Sequence, residues 1–241
     1  MRILPAALLL ALLAKPVLAQ SRTELPGLGA VDRRVPVAVT EEPWRSLAKV
    51  QSSTGPRCTG ALIAPRLVVT AAHCLYSRHT QRMVPAQALH VLFGYQGGAF
   101  RTHVTVERTT LDDAYDRTRT DTVGADWALL TLSAAPPVPV LPLALQPPPP
   151  GLPVALGGFN QDKAQRLMAD TACRVTGRAA AGGAPLVLHD CSGTRGTSGG
   201  PLLARRDGRW EVLGIAVAVG ADGNVVVPAA SFAASVGGRS R

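Results

Sequence analysis

Aromatic side chains make up only 4% of this chain. Its core must therefore be aliphatic, and the abundance of Val, Leu and Ala, with Val favouring extended backbone, suits strands. No basic run is interleaved with aromatics and no nucleic-acid-binding motif occurs. The formal charge of +9 is accordingly read as a general affinity for acidic surfaces, not as a nucleic-acid interface. Beyond the N-terminal segment no apolar stretch is long enough to span a membrane. Cysteines number four, which allows three pairings if they are oxidised. A zinc site from Cys58, His73 and Cys74 is disfavoured, because an adjacent His and Cys do not readily ligate one ion and the spacing matches no zinc pattern. No metal and no cofactor is expected.

What is present is length, proline and glycine. The 241 residues suffice for one large or two small packed units. Residues 1–19 read as a secretory signal peptide: Arg2 is the positive start, Ile3 to Leu13 the apolar run, and Val17-Leu18-Ala19 the cleavage site before Gln20. Export to the periplasm or the medium follows, and export permits disulfides. Residues 20–42 are polar and broken by Pro and Gly, as in a flexible leader, a pro-segment or a surface strap; Arg33-Arg34 is a possible processing point. From Trp44 onward short apolar runs alternate with turn residues. Strands are predicted at 47–51, 58–64, 67–71, 88–94, 101–107 and 127–132, with an exposed polar loop at 112–122. Residues 136–152 are too proline-dense for a central strand and form an extended connector. A second set of strands is predicted at 153–158, 167–175, 185–190, 201–204, 210–219 and 225–229; residues 231–241 hold at most a turn or two of helix, with 233–241 as the tail. Periodicity alone gives an all-β chain in two units.

Three short motifs carry the chemistry: Thr70-Ala71-Ala72-His73-Cys74, Asp126-Trp127-Ala128-Leu129-Leu130 and Gly196-Thr197-Ser198-Gly199-Gly200-Pro201. A serine nucleophile needs a base, and the base needs a carboxylate to orient it. A carboxylate leading an aliphatic strand is costly to bury unless paired, and His73 is the natural partner of Asp126. His79, His90, His103 and His189 lack such a context and are assigned to the surface or to ordinary packing. Together these motifs resemble those of chymotrypsin/trypsin-like serine proteases, and within them the secreted bacterial branch that includes the glutamyl endopeptidases. The resemblance runs from about Trp44 to Phe232. It implies two six-stranded antiparallel β-barrels, 43–135 and 153–232, with the active site in the cleft between them. It also implies a monomeric serine endopeptidase acting on polypeptides, with His73, Asp126 and Ser198 as the triad and the N–H groups of Gly196 and Ser198 as the oxyanion hole.

Departures from the family pattern refine this. Trypsin-like zymogens carry Asp immediately before the serine, where a new N-terminus pairs with it; here Thr197 stands there. Cys191 lies seven residues before Ser198, as in the bacterial branch, and Cys58–Cys74 and Cys173–Cys191 are the favoured pairs. Each closes a loop of about 15 to 17 residues, worth roughly 3 kcal/mol in the chain-entropy model. By alignment the substrate pocket draws on Ser192, Arg195, Val217, Ala218 and Val219. Ser192 in place of the trypsin aspartate argues against cleavage after Lys or Arg, and Val219 narrows the entrance. A small or medium neutral P1 side chain is expected. A catalytically silent binding module and an esterase using the same residues are the competing readings.

Overall fold

The computed structural model describes residues 25–54, 57–220 and 223–237; the signal-peptide reading of residues 1–19 lies outside the described residues. Its strands are β1 (Val35–Pro36), β2 (Leu47–Gln51), β3 (Cys58–Ala64), β4 (Leu67–Thr70), β5 (Tyr76–Ser77), β6 (Arg82–Met83), β7 (His90–Phe93), β8 (Thr102–Leu111) and β9 (Ala128–Leu132). They continue with β10 (Pro153–Phe159), β11 (Leu167–Ala181), β12 (Ala184–His189), β13 (Pro201–Arg206), β14 (Arg209–Gly220) and β15 (Gly223–Pro228), and one helix, α1 (Ala230–Gly237), follows. All twelve predicted strands are present, most within two residues of the expected ends. Alternation of apolar and polar residues, bounded by Gly and Pro, is what fixes them.

The first six form a closed antiparallel barrel in the order β2-β3-β4-β9-β8-β7. The second six form a ring, β11-β10-β13-β14-β15-β12, closed by the β11–β12 pairing, and β1 adds to its outer edge on β11. Closure removes the open edges that a lone sheet would expose. Leu62, Val69, Phe93, Leu129 and Leu130 fill the first core, and Val154, Leu156, Leu202 and Val226 lie in the second. Where the barrels meet, Gly157 passes so close to Trp44 and Leu47 that a Cβ would sit 2.7 Å from Leu47 Cδ2. The proline-rich connector runs extended between them, its Leu141 N–H donating to Leu62 and its Ala144 N–H to Val212.

Two features add to the sequence reading. The ordered fold begins before Trp44: residues 25–36 lie against the second barrel as a strap, β1 pairs with Met168 and Ala169, and Arg34 is buried. Second, the Arg33-Arg34 dipeptide, a possible processing point by sequence, is engaged in ion pairs. Both guanidinium groups are held by carboxylates. Buried ion pairs of this kind leave no trace in hydropathy, so the segment reads as solvent-facing.

At the C-terminal end α1 docks on the first barrel. Phe232 is fully buried and its ring lies 6.1 Å from that of Trp127, beside Asp126. Phe232→Ala should therefore cost about 3 to 5 kcal/mol, read as a lowered urea midpoint with unchanged m-value. A loss within experimental error would mean that the helix is not packed there.

Candidate active site

His73 leaves the first barrel on a 3-10 turn, Ala72–Leu75, that directly follows β4. The Cys58–Cys74 disulfide ties the residue after it to the start of β3. That bridge occupies both thiols that a zinc reading with His73 would need. Asp126 is 6% exposed and caps the 3-10 turn Thr120–Ala125 ahead of β9. Since β4 pairs with β9, the two side chains are brought together at one end of the barrel. One Asp126 oxygen accepts from the His73 backbone N–H at 2.9 Å and the other meets His73 Nδ1 at 2.6 Å. This fixes the ring orientation and places a proton on Nδ1, leaving Nε2 free to accept one.

Ser198 lies on the loop between β12 and β13. The loop is pinned from both barrels: Thr59 N–H of β3 donates to the Ser198 carbonyl at 2.9 Å, and Thr59 Oγ1 donates to the Gly196 carbonyl at 2.8 Å. The Gly199 N–H donates to Ala216 on β14. Gly196 has φ +96°, which suits glycine, and a Cβ there would meet the Phe159 carbonyl at 2.6 Å. Neither the Gly196 nor the Ser198 N–H donates to another group among the described residues. Two unengaged donors, two residues apart in the loop that carries the hydroxyl, are what an oxyanion requires.

His73, Gly196 and Ser198 line one cleft of about 760 Å³. Ser198 and His73 are not hydrogen-bonded among the described residues, as is common in substrate-free sites, where that bond tightens on binding. Arg195, Val217, Ala218 and Val219 line the same cleft. Ser192 does not. It is buried behind the wall, its N–H donating to Asp170 Oδ2 and its hydroxyl unpartnered among the described residues. The Cys173–Cys191 disulfide fastens this wall to β11.

Several lining residues were missed in the sequence. Pro26 of the strap forms part of the wall, next to Gly27, whose carbonyl accepts from Gly193 N–H and Asn224 Nδ2. His189, expected at the surface or in ordinary packing, is fully buried at the end of β12 against the cleft; its Nδ1 accepts the Cys191 N–H and its Nε2 is unpartnered among the described residues. Burial pushes its pKa down to about 4 against the pull of Asp190 and Asp170. Lys49, Arg57, Arg78 and Arg117 line the cleft together with Arg195, and among the described residues no carboxylate does. The excess of cations in the composition pointed to this sign of charge but not to its location.

Two β rings with a histidine and a serine in the cleft between them define the architecture of two-barrel peptidases. The structure is similar to that of a Glu endopeptidase solved in complex with MPD, at a TM-score of 0.73 and 19% identity over 89% of this chain and 100% of that one. It is also similar to the Vibrio cholerae VesB protease, at 0.64 and 18% over 86% and 66%. Residues 58–215 match the family model described as Trypsin-like peptidase domain, and the chain belongs to that family. No curated protein sequence matches it.

The buried His189 makes acid stability a readout of the pocket wall. Its folded pKa of about 4 lies below the ordinary value of 6.5. Below pH ~6.5 the unfolded chain binds a proton that the folded one refuses, so this contribution is complete above pH ~6.5 and is lost as pH falls towards 4, about 3 kcal/mol in all. In His189→Asn, whose Oδ1 can accept the Cys191 N–H, urea unfolding should lose this part of its pH slope. The same slope in both proteins would place His189 in contact with solvent.

Proposed function

We propose that the protein is an exported serine endopeptidase working as a monomer through His73, Asp126 and Ser198. The observation that carries this is the 2.6 Å contact between Asp126 and His73 Nδ1 at the edge of a cleft that also holds Ser198 and two unengaged N–H donors. Ser198 Oγ attacks the scissile carbonyl while His73 Nε2 takes its proton, and Asp126 steadies the imidazolium. The N–H groups of Gly196 and Ser198 hold the oxyanion. His73 then protonates the departing amine, the acyl-enzyme forms, and a water activated by the same imidazole releases the acid. No step calls for a metal or cofactor.

The lining supports a P1 side chain that is neutral and small to medium. Among the described residues no carboxylate lies in the cleft to receive Lys or Arg, Val217 and Val219 stand on its wall, and His189 stays neutral near pH 7. The four exposed cationic side chains, Arg57, Arg78, Arg117 and Arg195, favour polypeptides with acidic residues outside P1. Family membership and the likeness to two proteases support peptide hydrolysis over a silent binding module.

Hydrolysis of a mixed peptide library by the protein lacking residues 1–19 tests the reading. Ser198→Ala should lower kcat by about 10⁶ and Asp126→Asn by about 10⁴, both with the fold intact. Unchanged turnover in Ser198→Ala would end it, and cleavage of small esters without any peptide would move it to an esterase. For acidic peptides kcat/KM should also fall as salt rises from about 0.01 to 1 M, since screening shortens the reach of the cationic rim. No salt dependence would remove the rim from substrate selection.

A further inference from the structure

A single amide oxygen gathers the strap, the end of β10 and the nucleophile loop. Asn160 Oδ1 is buried and accepts from Arg34 Nη1 at 2.8 Å, Thr194 N–H at 2.9 Å and Thr197 Oγ1 at 2.9 Å. Thr194 Oγ1 lies 3.2 Å from both Asn160 Oδ1 and Asp162 Oδ1 and can donate to either. The Gln161 N–H donates to Arg195 at 2.7 Å. Asn160 Nδ2 donates back to the Gly158 carbonyl, so the amide cannot turn away without losing both ends.

Arg34 holds this hub in place. Its side chain is 1% exposed, and it donates to both oxygens of Asp32 and both oxygens of Asp162 in addition to Asn160. Burial opposes its charge, but the two carboxylates more than offset that and raise its pKa above the ordinary value; Arg34 in turn lowers that of Asp162. Arg33 does the same for the neighbouring wall. It donates from Nε to Asp170 Oδ2, which also receives the Ser192 N–H, and from Nη2 to the Asp190 carbonyl. Two consecutive arginines of one strap thus reach the two segments that flank the cleft, 190–192 and 194–197. Fork-shaped, permanently charged guanidinium groups are suited to this, because each can satisfy several fixed acceptors at once.

We propose that the strap is a built-in activation clamp, in which Arg34 is a positioning residue acting through Asn160 on the loop that presents the Gly196 and Ser198 N–H groups. The clamp takes the place of the Asp and new N-terminus of trypsin-like zymogens: Thr197, at the position of that Asp, is held instead through Asn160 by an arginine already in the chain. Retention of residues 32–34, not their removal, keeps the site assembled. The proposal rests on the assignment of Ser198 as nucleophile, but its loop-ordering part can be measured without catalysis.

The test is hydrogen exchange in a Ser198→Ala background. Arg34→Ala should speed exchange across residues 193–200 by about tenfold or more, leave residues 58–70 unchanged, and be partly reversed by free guanidinium. In the active protein the same substitution should lower kcat by about 10²-fold, the cost of a misplaced oxyanion donor, with little change in KM. Arg34→Lys should recover only part. Thr197→Val, which cuts the loop from Asn160 and leaves Arg34 in place, should act in the same direction, and Thr197→Ser should restore; this pair decides the matter if Arg34→Ala does not fold. Unchanged exchange at 193–200 in a folded variant overturns the clamp, as does an unaltered kcat. If exchange responds while the parent protein hydrolyses nothing, the clamp stands and the peptidase reading falls.

Discussion

Between the two barrels runs a gap that admits backbone but no side chain, and the rest of the site depends on it. A Cβ on Gly199 would lie 2.3 Å from both the Thr59 carbonyl and Thr70 Oγ1, and one on Gly200 would lie 2.3 Å from the Gly157 carbonyl. The loop that carries Ser198 therefore enters this gap as glycine or not at all. Once there it is bonded from three sides, by Thr59 of β3, by Ala216 of β14 and, through Thr197, by Asn160 of the segment after β10. The spacing between histidine and serine is then a property of how the barrels seat on one another, because both hang from elements at that seam. Rigid elements place catalytic groups more accurately than free loops do, and here the loop has been made rigid by its neighbours.

The two disulfides sit where the cleft needs restraint. One joins the turn that carries His73 to the strand that carries Thr59, and the other joins the wall at Cys191 to β11. Bridges across loops of this length are worth roughly 3 kcal/mol through the unfolded chain. Their position adds something that figure omits. Each links a segment of the cleft to a strand of its own barrel, so that segment moves with its barrel.

Much of this was legible in the sequence and some was not, for physical reasons. Strands could be read because a β face alternates and because Pro and Gly mark its ends. The pairing of His73 with Asp126 could be read because each residue sits in a motif that only makes chemical sense with the other. What holds the strap could not. Arg33, Arg34 and Asp32 are charged, and a charged segment looks solvated until its partners, Asp162 and Asp170, are brought from more than a hundred residues away. Asn160 was invisible for the same reason, since a single asparagine gives no hint that its oxygen has three donors waiting. His189 lacked a motif, and only the fold shows that it is buried with one nitrogen unpartnered among the described residues. Ser192 was placed in the pocket by alignment, yet the chain turns it behind the wall towards Asp170. Polar residues that the fold buries without a motif to announce it are the common element in these misses.

The central claim is that Ser198 is a nucleophile activated by His73, and covalent trapping tests it most directly. The protein lacking residues 1–19 would be treated with a fluorophosphonate, digested and mapped by mass spectrometry. The account predicts a single phosphonylated residue, Ser198, and loss of labelling in both Ser198→Ala and His73→Ala. A folded wild-type protein that takes up no label, or takes it up at another residue, would contradict it.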